Sequence, residues 1–392
     1  MLNICLIGHS PQSDNFGVGA LTVADIEILR EVARGLDLEV RFTLIAWKDP
    51  RASYVIGKDI TIEHISGKDV LKPNRFWRII RKADLVVDIG GGDSFADIYG
   101  HKRLIQMFLM KYQAHLARRP FVLAPQTMGP FSKRLSTWLA RTSLNRSRLV
   151  CTRDGLSTNH LREINYRGDI IEACDVALRL PYEPAPKRKK SARMQVGLNV
   201  SGLLMNGGYT GENMFGLVVD YPALVRTIIT QFQSHHDAPE IILVPHVISH
   251  AQPIEDDYRV SVDLAAEFDG VKVAPAFTSP SEAKSFISGL DFFMGARMHS
   301  CIAAFSSGVS VVPMAYSRKF SGMFGSLGYD WTVDCTKDNE ESIVAKIFKA
   351  YEARDAVAKE VGIAFEKGLF QLAVYEEALR EVLAEVAAKQ RH

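Results

Sequence analysis

Residues 291–316 read DFFMGARMHSCIAAFSSGVSVVPMAY, and this stretch holds the fold in miniature. An apolar run, DFFMGA, leads into Arg297 and His299 with one residue between them; small and apolar residues follow, then a second apolar run, VSVVPMAY. Both runs have the length and composition of buried strands, and the segment between them has the length of a short helix. Strand, helix and strand in that order make a parallel pair joined by a right-handed crossover. Arg297 and His299 then stand where a helix begins and its unsatisfied N–H groups favour anions. Taken alone, an ordinary turn with a surface arginine and a hydrogen-bonded histidine reads the same, so the rest of the chain has to decide.

The alternation recurs throughout. LNICLIG, EVRFTLIAW, ADLVVDIG, PFVLAP and SRLVCTR read as buried strands, with helical stretches such as VGALTVADIEILREVARG and LIQMFLMKYQAHLARR between them. At 181–193 the prolines and charges of PYEPAPKRKKSAR break the pattern, as a linker does. It restarts with MQVGLNVS, EIILVPH and VKVAP, and the chain closes on two long helices, ESIVAKIFKAYEARDAVAKEVGIAFEKGLF and VYEEALREVLAEVAAKQ. The expected class is α/β, with two Rossmann-like domains facing across a cleft. The expected boundaries are 1–183 for the first domain, 184–193 for the linker, 194–370 for the second domain and 371–392 for a C-terminal helix.

Bulk properties agree. A chain of 392 residues is long for one core, and 47% hydrophobic with 23% charged residues suits a globular protein. The start, MLNICLIGHSPQSDNFG, reads as a first strand and loop, with no basic region or apolar stretch of signal-peptide length. Five scattered cysteines without C-x-x-C spacing read as free thiols in a reducing cytoplasm. The net charge of +2 hides an asymmetry: residues 1–190 carry 30 Lys/Arg against 20 Asp/Glu, leaving 17 against 25 for the remainder. From Ile98 to Arg153 there are 11 Lys/Arg and no acid, which points to an anionic partner. No nucleic-acid motif accompanies that charge. An anionic membrane or a diphosphate lipid fits it, and NRFWRIIRK reads either as a membrane-contacting helix or as one packed on its own domain.

Ligands of open parallel sheets sit beyond the carboxyl ends of the strands, which makes strand-end residues the candidates. After ADLVVDI come Gly90, Gly91, Gly92 and Asp93: glycines clear space for a ligand, and a carboxylate there orients or deprotonates a hydroxyl, or simply caps a helix. Gln126 follows PFVLAP, and Arg153 ends SRLVC with Asp154 placed as an N-cap. Arg153 pairs with Asp154 or a helix end, or grips an anion. In the second half, Asn199 ends one strand and His246 another, the latter as a packed loop histidine or a catalytic one, and Lys319 follows VSVVPMAY. The glycine-rich loop LLMNGGYTGENMFG reads as a flap over a site. No carboxylate lies between Gly295 and Gly328 to hold a ribose diol, which counts against a nucleotide sugar on this domain.

GGGDSF, QTMGPF, TRD with Ser157 downstream, ARMHSCIAA and VPMAYSRKF, in that order over nearly the whole chain, resemble the polysaccharide pyruvyl transferase family. The resemblance implies a GT-B-like pair of domains, with C-terminal helices crossing back to the first. It also implies transfer of a pyruvyl group from phosphoenolpyruvate onto two sugar hydroxyls as a cyclic ketal. By that resemblance Arg153, Arg297, His299 and Lys319 grip phosphoenolpyruvate. His299 is the expected proton donor and Asp93 the expected acceptor of hydroxyl protons, while Asn15, Gly91, Gly92, Gln126, Asn199 and His246 are assigned to the saccharide. The DNFGVGA loop departs from the family, which has an acidic residue soon after the glycine. The expected acceptor is a lipid-linked or growing surface polysaccharide, met in the cytoplasm with peripheral contact of region 98–153 on the inner membrane face. Neither metal nor cofactor is expected beyond the donor. The alternative is a nucleotide-sugar glycosyltransferase of GT-B type.

Overall fold

The structure is a computed structural model that describes residues 1–71, 75–98, 100–186, 193–249 and 251–390, so residues 187–192 of the expected linker lie outside the described residues. The chain groups into two units: Met1–Ser13, Leu21–Arg179 and Gly368–His392 form the first, Asp14–Ala20 and Leu180–Lys367 the second.

The first unit is built on β1 (Leu2–Ile7), β2 (Val40–Trp47), β3 (Ile60–Ile65), β4 (Leu85–Asp88), β5 (Phe121–Gln126), β6 (Leu149–Thr152) and β7 (Ile171–Glu172), all parallel, in the order β3-β2-β1-β4-β5-β6-β7. The second uses β8 (Gln195–Asn199), β9 (Glu240–Leu243), β10 (Lys272–Val273), β11 (Phe292–Gly295), β12 (Val311–Ala315) and β13 (Val333–Asp334), again parallel, in the order β10-β9-β8-β11-β12-β13. Both orders are those of a doubly wound sheet, which reverses direction between β1 and β4 and between β8 and β11. Central strands are buried on both faces, β4 and β11 completely, which is why they read as unbroken apolar runs.

The strands absent from the sequence reading, β3, β7 and β13, are all edge strands; two of them are only two residues long. Their partly exposed residues carry no apolar run to announce them. The closing helices divide differently from expectation: Glu340–Glu352 ends at Ala353, and one unbroken helix then runs Arg354–Gln390. Its final part returns to the first unit, where the buried Tyr375 hydroxyl donates to Asp25 Oδ1 at 2.9 Å. NRFWRIIRK forms the helix Arg75–Lys82 with Phe76 and Ile80 fully buried in the first core, so its apolar side packs on its own domain. No helix among the described residues is long and apolar enough to cross a membrane.

Candidate active site

In the second unit the reversal of strand order brings Gly295 of β11 into register with Asn199 of β8. A Cβ on Gly295 would stand 2.7 Å from that of Asn199, so glycine lets the two strand ends close up. Asn199 Oδ1 accepts the Arg297 N–H at 2.8 Å and its Nδ2 donates to the Val244 carbonyl at 2.9 Å. The buried amide thus braces the turn. Arg297 is the N-cap of the helix Met298–Phe305 and offers that helix no side-chain cap. Its guanidinium turns to Asp257, with Nη2 at 2.8 Å from Oδ1 and Nε at 3.2 Å from both oxygens, and Nη2 also donates to the Glu255 carbonyl at 2.9 Å. Burial, the largest single influence, lowers the Arg297 pKa; the charge and hydrogen bond of Asp257, together with Tyr316 and Glu255, outweigh it and raise the pKa, keeping the guanidinium charged.

Asp257 does more than pair. Fully buried, it accepts the backbone N–H groups of Gly202 (2.8 Å), His246 (3.2 Å) and Val247 (3.0 Å), tying the ends of β8, β9 and β11 together. His246, 2% exposed, packs its ring edge-on against Phe16 at 5.8 Å, and neither ring nitrogen has a hydrogen-bond partner among the described residues. Burial first, then His299 and Arg297, push its pKa down to about 3, so the imidazole is neutral at neutral pH. Phe16 belongs to the segment Asp14–Ala20, which opens the helix Phe16–Arg34 and whose Asn15 bridges Val247 and accepts the Gly17 N–H at 2.9 Å. Gly17 in turn faces the His299 ring, with a Cβ placed 2.8 Å from Cγ. Lys319, half-buried, lies on the turn Arg318–Phe320 beyond β12. The expected flap folds back onto the same region: Tyr209 hydrogen-bonds Glu255, and Phe215 packs edge-on against Tyr316 at 5.0 Å.

In the first unit the three glycines make a tight left-handed turn, with φ of 56°, 58° and 88°. A side chain on Gly90 would collide with Gln126 Oε1, and one on Gly92 would stand 2.5 Å from Leu21 and 3.3 Å from Arg153 Nη1. Asp93 follows, half-buried. Gln126 is fully buried and gives its amide to the Asp88 and Ala124 carbonyls at 2.7 and 3.1 Å, so it holds the glycine turn from below. Arg153 donates to Asp175 at 2.9 Å and to Thr127 at 2.9 Å, while Asp154 caps the helix Gly155–Glu163 by accepting the Ser157 N–H at 2.7 Å. The partner of Arg153 is therefore Asp175, not Asp154.

The polysaccharide pyruvyl transferase family matches this chain over residues 43–318. The chain belongs to that family. It is 22% identical over 338 residues to the amylovoran biosynthesis protein AmsJ of Erwinia amylovora, covering 79% of this chain and 77% of that one. In fold it is similar to a putative UDP-N-acetylglucosamine 2-epimerase from Listeria monocytogenes (TM-score 0.59, 11% identity, 100% of this chain and 97% of that one). It is likewise similar to the UDP-GlcNAc 2-epimerase of Neisseria meningitidis (TM-score 0.55, 11% identity, 99% and 100%). Those likenesses identify the two Rossmann-like domains of the GT-B architecture.

For this pyruvyl transferase family member, each unit gathers its own candidates at the strand carboxyl ends. Gly91, Gly92, Asp93, Gln126 and Arg153 surround one glycine turn, and Asn15, Asn199, His246, Arg297 and His299 another. Sequence reading missed the carboxylates that hold the arginines. Asp175 lies 22 residues from Arg153 and Asp257 lies 40 from Arg297, and no spacing rule links them. Asp257 has one local signal: it directly follows Asp256, which caps the helix Asp257–Ala265. The cluster of His235, His236 and Asp237 has metal-ligand spacing but precedes β9, at the N-terminal ends of the strands and so opposite the strand-end site.

Proposed function

We propose that this protein transfers the pyruvyl group of phosphoenolpyruvate to two hydroxyls of a saccharide, forming a cyclic ketal and releasing phosphate. The observation that carries the reading is the Arg297–His299 pair at the uncapped N-terminus of the helix Met298–Phe305, where β8 and β11 diverge. A donor with a carboxylate and a phosphate suits cations at a helix N-terminus. Lys319 is the third donor cation of this unit, and the family resemblance assigns Arg153 to the same donor. In the first step a proton reaches the methylene carbon of the donor, and the positive centre left at its neighbour takes the first hydroxyl oxygen. Phosphate then departs with its bonding electrons, and the second hydroxyl closes the ketal. Of the two hydroxyl protons released, one balances the proton given to carbon and the other leaves with phosphate. His299 is the proton donor and Asp93 the acceptor of hydroxyl protons. Phosphate release from phosphoenolpyruvate with a saccharide acceptor tests the reading. Turnover of a nucleotide sugar, with phosphoenolpyruvate inert, would replace it.

The acceptor in this reading is a lipid-linked surface saccharide, and the helices His101–Leu116 and Arg134–Leu144 supply a surface for its membrane. The two lie side by side, joined by Tyr112 to the Leu139 carbonyl and His115 to Ser143. Their outer face exposes Ile105 (55%), Leu135 (68%) and Trp138 (53%) among the exposed Lys102, Lys133 and Arg134. Among the described residues several cations of region 98–153 are engaged within the fold, Lys111 with Asp88, Arg148 with Glu385, Arg153 with Asp175, Arg103 with Ser94 and Arg119 with the Arg81 carbonyl. The aromatic and basic remainder suits an anionic interface. Binding to anionic vesicles should fall steeply with salt and weaken in Leu135→Ser/Trp138→Ser; salt-independent binding would reject it.

A further inference from the structure

We infer that His246 is a contact to the bound donor anion, uncharged in the free protein and protonated once the anion is in place. The inference rests on the reading of Arg297 and His299 as the donor site. Both backbone polar groups of His246 are in use: its N–H goes to Asp257 and its carbonyl accepts the Phe16 N–H at 3.1 Å. Only the ring is left over, with two buried nitrogens and no partner for either among the described residues. Leaving such groups unmade is costly, and an apolar side chain would fill the same space without that cost. Two unpartnered nitrogens therefore point to an absent ligand.

The surroundings say which kind. The ring packs on Phe16, and the next residue, Gly17, lies against the His299 ring, so the two imidazoles rest on consecutive residues of one turn. The charges acting on the His246 ring are Arg297 and His299, from the β11 end. The carboxylate nearest in the network, Asp257, takes the backbone N–H of His246 and the Arg297 guanidinium. Burial first, then His299 and Arg297, hold the ring neutral. An anion bound beside Arg297 reverses the balance, because it adds negative charge and gives a ring nitrogen an acceptor. The proton comes from solvent and forms one N–H bond on the ring, and no bond of the donor is made or broken.

The test is calorimetric titration of the full chain with phosphoenolpyruvate near neutral pH, in buffers of different ionisation enthalpy, which counts protons taken up. The wild type should take up about one proton more per ligand than His246→Gln, whose amide still donates but does not titrate. That variant should bind roughly tenfold more weakly or worse, and its affinity should respond less to rising pH. His246→Asn repeats the measurement, and circular dichroism confirms both folds. Equal proton uptake in wild type and folded variants that bind phosphoenolpyruvate overturns the assignment alone, since a merely structural histidine leaves the proton count unchanged. Failure of the wild type to bind phosphoenolpyruvate overturns the functional reading and this assignment with it.

Discussion

Gly17→Ala separates the geometry of His299 from the stability of the fold. Gly17 lies in the first turn of the helix Phe16–Arg34, outside the positive-φ glycines, so alanine suits its backbone. Helix propensity alone favours the substitution by up to about 1 kcal/mol. The added methyl, however, would collide with His299 Nδ1, standing 2.8 Å from Cγ and 3.0 Å from Asn15 Oδ1. Ordinary carbon contacts begin near about 3.5 Å, so the imidazole has to retreat by about 1 Å. A shift of that size at a reacting centre costs on the order of 100-fold in rate. The packing cost is about 1–3 kcal/mol, partly offset by the propensity gain. Gly17→Ala should therefore melt close to wild type and release phosphate from phosphoenolpyruvate roughly 100-fold more slowly. Steady-state phosphate release beside a thermal melt reads both quantities. A folded variant with turnover within about twofold of wild type would remove His299 from the reacting atoms.

The two ends of the buried ion pair should not be equivalent. Asp257→Ala strips the charge partner from Arg297 and the acceptor from three backbone N–H groups, and should cost about 3–5 kcal/mol by denaturant melt. Arg297→Met leaves Asp257 those other donors and should destabilise less while abolishing donor binding; the reverse order of stabilities would contradict the hub role of Asp257. His115 supplies a pH effect: burial first, then Lys111 and Arg146, push its pKa down to about 4. Its folded value lies below the usual one, so its stabilisation is complete above about pH 6.5 and is lost as pH falls toward 4. His115→Gln should flatten that part of the acid-stability curve by no more than about 2 kcal/mol, given its partial exposure, and an unchanged curve would discount burial as the cause.

How much of this was legible in the sequence follows from which interactions are local. The central strands could be read because burial on both faces demands unbroken apolar residues, and LVVD and FFMG can hardly be anything else. GARMHS could be read for the same reason: a strand end, a glycine and a helix start are neighbours in the chain. The charge partners could not. In sequence Arg153 reads as paired with Asp154 or a helix end or as an anion grip, and Arg297 as a strand-end cation, yet each is buried against a carboxylate brought in from another element, Asp175 after β7 and Asp257 after β9. This changes what the arginines can do. A guanidinium already held by a buried carboxylate is fixed in place and has spent part of its charge, so anion affinity has to come from more than arginine. In the second unit the sources at hand include the start of the helix Met298–Phe305, Lys319 and the two imidazoles, of which His246 is fully buried with both nitrogens unpartnered among the described residues. The sequence placed His246 as either a packed loop residue or a functional one. Its backbone fulfils the first role through Asp257 and Phe16, and its ring is left for the second.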